Sequence, residues 1–159
     1  MKIGLLSYRS HPYSGGQGIY IKHLSKALKD LGHHVSVLSG PPYPELDNEI
    51  KLIKIPSLGM FETDNRVKLF SLKLFLSPLD LYEWFTVMTG GFPEPYTYGK
   101  RAYNFLKKNK DSFDVILDNQ CLATSLIDIQ DMFPLAVTIH HPITKDHKLE
   151  MESANNWKE

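Results

Sequence analysis

Apolar residues along the chain follow two alternating rhythms. The run KIGLLS (2–7) is short, nearly continuous and bounded by polar residues, which predicts a strand buried on both faces. From Ile19 the spacing changes. Ile21, Leu24, Leu28 and Leu31 recur every three or four positions with Ala27 on the same stripe, while Lys22, Lys26 and Lys29 fall elsewhere. That is the period of an amphipathic helix, and Gly32 stands where a left-handed residue closes one. HVSVLSG (34–40) reads as a second strand stopped by Gly40-Pro41-Pro42, and IKLIKIP (50–56) as a third, ended by Pro56. Residues 65–99, rich in leucine and aromatics, predict two helices that break at Ser77-Pro78, where serine caps and proline fits the first helical position. GGFPEP (90–95) predicts a rigid loop, and YGKRAYNFLKKN (98–109) a helix with Tyr103 and Leu106 inward and a basic outer face. FDVILD (113–118), CLATSLIDIQ (121–130) and LAVTIHH (135–141) then read as strand, short helix and strand, before a polar, helix-compatible tail.

Strands that alternate with helices imply an α/β fold with a doubly wound, mostly parallel, Rossmann-like sheet. The usual strand order is 3-2-1-4-5, and ligands then bind where the order reverses, beyond the carboxyl ends of strands one and four. The loops at that point are YRSHPYSGGQG (8–18), DNQ (118–120) and, next door, HHPIT (140–144). Nearly all the unusual polar residues of the sequence lie on these three loops.

Composition narrows the classes. The 159 residues suffice for one domain with a true core, so residues 1–159 are read as a single unit. Eighteen basic residues balance eighteen acidic ones, so no overall field favours nucleic acid. The single cysteine, Cys121, fits a reducing, cytoplasmic setting. The start lacks the apolar core and cleavage site of a secretory signal, and no run reaches transmembrane length.

Three groups of residues carry candidate chemistry. Around Gly15, Gly16 and Gln17, backbone N–H groups at a helix start can hold an anion such as a diphosphate, although a tight strand-to-helix turn needs the same glycines. The pattern is neither G-x-G-x-x-G nor a Walker loop. Asp118, Asn119 and Gln120 offer the mixed donors and acceptors that sugar hydroxyls want, and they are also ordinary turn residues. His140 at a strand end can donate a hydrogen bond to a ligand or move a proton. A metal-dependent hydrolase built on His140, His141, Asp146 and His147 is a weaker reading: neighbours on a strand point to opposite faces, and no H-E-x-x-H pattern occurs. No metal is therefore expected. Lys68, Lys73, Lys100 and Arg101 among Phe70, Phe75, Trp84 and Phe85 would suit a membrane-surface helix, but aromatics at helical spacing more often form core. No nucleophile–base pair accompanies Cys121.

The opening MKIGLLSYRSHPYSGGQGIYIKHLSKALKDLGHHVSVLSG, with its glycine pair and the Gly32-His33-His34-Val35 approach to the second strand, resembles retaining glycosyltransferases of family 4, which have the GT-B fold. GGFPEPYTYGKRAYNFL, FDVILDNQ and TIHHPIT resemble later landmarks of a bacterial branch, so the likeness runs through essentially the whole chain. It implies the N-terminal, acceptor-side half of a GT-B enzyme that moves a hexosyl group, with retention, to a glycan or lipid-linked acceptor. The donor, a UDP- or GDP-sugar, is then a substrate, and no tightly bound cofactor is expected. The resemblance puts Gly15, Gly16 and Gln17 near the donor phosphates and His140, the catalytic candidate, near the transferred sugar. It puts His11, Asp118, Asn119, Gln120 and His141 on the acceptor side. Leu117 departs from it, since relatives often carry histidine there. The C-terminal donor domain, with its basic residues and E-x7-E region, is not found in these residues. The expectation is a chain inactive as a transferase without that partner, cytoplasmic or peripheral at the inner face of the membrane. The alternative is a non-catalytic ligand-binding or partner module derived from such a domain.

Overall fold

The sheet grows outward from its first strand. The computed structural model describes residues 1–14, 16–59 and 71–140, the side chains of Leu72 and Lys73 apart. Strand β1 (Lys2–Ser7) pairs in parallel with β2 (His34–Ser39) on one side and with β4 (Val115–Asn119) on the other. The outer strands β3 (Lys51–Lys54) and β5 (Leu135–Thr138) complete a five-stranded parallel sheet in the order β3-β2-β1-β4-β5, as the alternation predicted. Among the described residues four α-helices accompany it: α1 (Gln17–Asp30), α2 (Pro78–Met88), α3 (Glu94–Lys108) and α4 (Leu126–Gln130).

Alternation along β1 sends apolar side chains into two separate cores. Ile3 and Leu5 join Val35 and Val37 of β2 against Ile21 of α1. Leu6, Leu38 and Ile116 face the other way, against Tyr98, Ala102 and Leu106 of α3 and Ile129 of α4. Leu5, Val37, Leu38 and Ile116 are wholly buried, each worth about 1.5–3 kcal/mol of transfer free energy. Leu117, the departure from the resemblance, packs against the α1-side core.

The helices differ from expectation in instructive ways. α1 buries Gly18, Ile21 and Ser25, whereas Ala27 is exposed and Leu31, just past the last turn, is 73% exposed. Gly32 does take the left-handed φ of 87° that ends the helix. Ser77 caps α2 as predicted, its Oγ accepting from Asp80 N at 3.3 Å, with Pro78 in the first turn. Before it lies a 3₁₀ turn at Leu72–Leu76 in place of an α-helix, and the earlier part of that expected helix, with Lys68 and Phe70, is outside the described residues. Phe75 and Phe85 are not core: they are 61% and 60% exposed. α3 starts four residues earlier than expected, because prolines in a first turn forfeit only N–H groups that have no helical partner.

Arg101 also corrects the picture of a wholly basic outer face. It turns inward and pairs with Asp80 and, at 2.7 Å, with the fully buried Glu83. Glu83 Oε1 also accepts from Leu58 N at 3.2 Å, so the carboxylate ties α2, α3 and the chain after β3 together. The polar tail lies outside the described residues. Among the described residues, no helix is long and apolar enough to cross a membrane.

Candidate functional site

Beyond the carboxyl end of β1 the chain loops back into α1, and two glycines there serve different ends. Gly16 is the N-cap, with φ of 71° and no side-chain cap. Gly18 packs against the backbone of the incoming loop: a Cβ on it would lie 2.7 Å from Ser10 O and closer still to His11 O. Only glycine lets the helix approach the loop so closely. The first turn of α1 carries no acidic side chain, so its amides and the positive end of its dipole can meet an anion. Gln17 is the first residue of that turn. His11 is exposed nearby, its Nδ1 accepting from Tyr13 N at 3.1 Å. Gly15 lies outside the described residues.

At the end of β4 the three polar residues turn inward and organise a histidine. Asp118 and Asn119 are wholly buried and Gln120 nearly so. Asp118 Oδ2 accepts from Cys121 N at 3.0 Å and from Leu122 N at 3.2 Å. These bonds hold a loop in which Gln120 and Leu122 both adopt φ of 51°, a conformation costing about 1–2 kcal/mol for a residue with a side chain. Thus constrained, Gln120 Oε1 accepts from His140 N at 2.9 Å, and Asn119 Oδ1 lies 2.6 Å from His140 Nε2. A carbonyl oxygen can only accept, so this contact calls for a proton on Nε2 and turns Nδ1 away from Asn119. Tyr20 of α1 meets the same ring edge to face, with centroids 4.6 Å apart.

β5 ends at Thr138, three residues before the expected limit of the strand. His140 therefore lies past the sheet and is exposed despite its three contacts. Burial raises the Asp118 carboxyl to about 6, against the pull of its two N–H donors, and its Oδ1 has no protein partner among the described residues. Burial also pushes the Cys121 thiol well up, which makes it a poor nucleophile.

A second concavity lies on the other side of β1, beyond β2 and β3. Tyr98 of α3 reaches between the strand ends: its hydroxyl donates to Leu38 O at 2.6 Å and accepts from Ser7 N at 3.1 Å. Ser10 Oγ donates to Ser7 Oγ at 2.7 Å, Ser39 Oγ lies 3.2 Å from Ser10 Oγ, and Ser10 N donates to Pro42 O at 2.9 Å. Over this tied floor opens a shallow cleft, continuous with solvent and walled by Tyr8, Arg9, Pro41, Pro42, Ser57 and Glu94 among others. The Arg9 guanidinium stands 5.6 Å from the centre of the Tyr8 ring.

The structure thus brings His140, Asn119 and Gln120 into contact and places Asp118 behind them as the support of their loop. Gly16, Gln17 and His11 belong to the neighbouring β1–α1 connection. His141, Asp146 and His147 lie outside the described residues, and among those that are described no three His, Cys, Asp or Glu side chains gather as a metal site. Sequence reasoning missed Tyr20, Tyr98 and the Arg9–Glu94 cleft. Arg9 lay inside a loop already singled out, whereas Glu94 was hidden in a stretch read as a loop.

No family model matches the chain. It is similar, at 46% identity over 160 residues, to a protein of Mycolicibacterium hassiacum named MMP alpha-(1->4)-mannosyltransferase. The alignment takes in 99% of this chain and 39% of the relative, so the chain spans well under half the length of that curated protein.

Proposed function

We propose that this chain is the acceptor-side half of a retaining, metal-independent GT-B glycosyltransferase, which moves a hexosyl group from a UDP- or GDP-sugar to a glycan or lipid-linked acceptor. A mannosyl group is the first candidate, given the printed activity of the relative. The observation that carries the reading is the polar constellation at the switch point, where Asn119 and Gln120 fix His140 beside α1. The 46% identity to a mannosyltransferase supports it.

In this reading each group has a task. Asn119 holds the imidazole as the Nε2–H tautomer, which leaves Nδ1 to accept from a sugar hydroxyl, or to donate once the ring is charged. Charge builds on the donor diphosphate as its bond to the sugar breaks, and the α1 amides around Gly16 and Gln17 are preorganised to meet it. The nucleotide and the other diphosphate contacts come from a donor domain beyond the residues given. The nucleotide-sugar enters as substrate, and the setting is cytoplasmic, with peripheral contact at the inner face of the membrane.

The test is transfer of labelled hexose, GDP-mannose first and UDP-hexoses next, to mannose oligosaccharides. The chain is compared with a version carrying whatever sequence its gene encodes after residue 159. The expected result is transfer by the extended protein, reduced about 100-fold or more by His140→Ala. Transfer unaffected by His140→Ala, or no transfer with any donor, refutes the reading.

A further inference from the structure

His140 stands past the end of β5, so strand pairing does not fix its side chain. Two polar contacts restrain it. Gln120 Oε1 accepts from its backbone N–H at 2.9 Å, and Asn119 Oδ1 lies 2.6 Å from its Nε2. Together they settle which edge of the imidazole faces Asn119. A contact at one ring atom still lets the ring tilt about that point. Tilt redirects Nδ1, and a hydrogen bond weakens steeply as its angle closes.

The third contact removes that freedom. The Tyr20 ring meets the imidazole at 83°, with centroids 4.6 Å apart, at the close end of the range for edge-to-face pairs. Tyr20 is itself anchored twice. Its N–H donates to Gly16 O at 2.9 Å in the opening turn of α1, and its side chain packs against the core of Ile3, Leu5 and Ile21. The helix start that presents its amides to an anion therefore also sets the plane of the imidazole.

We infer that Tyr20 is a positioning residue for His140: its ring fixes the tilt of the imidazole, and with it the direction of Nδ1 relative to the first amides of α1. The inference rests on the glycosyltransferase reading. Asn119 chooses the edge of the ring and Tyr20 its plane. A misdirected Nδ1 costs most in the reacting geometry, so Tyr20 contributes to kcat and not to donor affinity.

Two measurements test it. Tyr20→Leu and Tyr20→Met keep apolar volume against the core and remove the flat ring, whereas Tyr20→Phe keeps the ring. All three are made in the extended protein, with His140 intact and with His140→Ala, and folding is checked by circular dichroism before kcat and donor KM are measured. In residues 1–159 alone, carbon-13 relaxation of the His140 ring reads the tilting directly. The expected result is kcat lower by about tenfold in Tyr20→Leu and Tyr20→Met, donor KM within about twofold, and kcat restored in Tyr20→Phe. With His140→Ala the same substitutions should make no further difference, which a merely structural role would not produce. The order parameter of the His140 ring should fall toward the about 0.6 of a flexible site in Tyr20→Leu and hold in Tyr20→Phe. An equal loss in both backgrounds, no loss, or a Tyr20→Phe protein as slow as Tyr20→Leu overturns the positioning role and leaves the glycosyltransferase reading standing. If no donor supports transfer, that reading falls and relaxation alone decides: a loosened ring in Tyr20→Leu upholds Tyr20 as the restraint on His140, and an unchanged ring overturns it.

Discussion

Asp118 links the stability of the domain to pH in a direction opposite to that of most surface carboxylates. Its side chain is wholly buried, and burial outweighs two backbone donors in raising the carboxyl from 3.8 to about 6. The native state therefore holds this proton more tightly than the unfolded chain does. Stability from this group is complete below about pH 4, falls as pH rises to about 6, and levels off above about 7. The gap between 3.8 and about 6 corresponds to about 3 kcal/mol across that window. Asp118→Asn keeps the shape and one carbonyl acceptor for Cys121 N and Leu122 N but cannot ionise. Urea unfolding of both proteins at half-unit intervals from pH 4 to 8 isolates the contribution, because all other titrating groups are common to the two. The variant should be relatively more stable at pH 7 than at pH 4, by about 2.4 kcal/mol between the two. Parallel stability curves would refute the claim that burial dominates at this carboxyl.

Two further perturbations separate close approach from conformation and test the ion pairs. Gly18→Ala should cost about 1–3 kcal/mol or more in urea unfolding, since its methyl collides with the Ser10–His11 backbone, and equal stability would contradict that contact. Gly16→Ala meets no atom within 4 Å and should cost only the left-handed strain of about 1–2 kcal/mol, most of it recovered by Gly16→Asn. Arg101→Met strands the buried Glu83 carboxylate and should cost about 3–5 kcal/mol, much of it restored by adding Glu83→Gln; a loss below about 1 kcal/mol would show the pairing to be idle.

The strand order, the α1 start and the Ser77 cap were legible because each rests on local chemistry: period, turn residues and a hydroxyl three positions before an amide. Tyr98 was not, since its hydroxyl meets Ser7 and Leu38, partners 91 and 60 positions away that no window along the chain connects. Arg101 was misread for a related reason. Its helix face looks basic in one dimension, and only the packing of α2 puts Glu83 opposite it. Asp118, Asn119 and Gln120 stood out in the sequence as a polar turn, but their direction depended on two left-handed residues with side chains, Gln120 and Leu122, which composition disfavours and a buried carboxylate enforces. His140 escaped the strand because β5 stops at Thr138, a limit that its run of apolar residues did not announce.

The Tyr98 phenol has one more consequence. By standing between Ser7 and Leu38 it occupies the place of a rung in the ladder, and the linked serines and the Ser10–Pro42 bond fasten the loops above it. The carboxyl ends of β1 and β2 are thereby fastened to α3 through a single aromatic ring. Separating the two strand ends would break both hydrogen bonds of the phenol at once, so β1, β2 and α3 shift here as one piece or not at all.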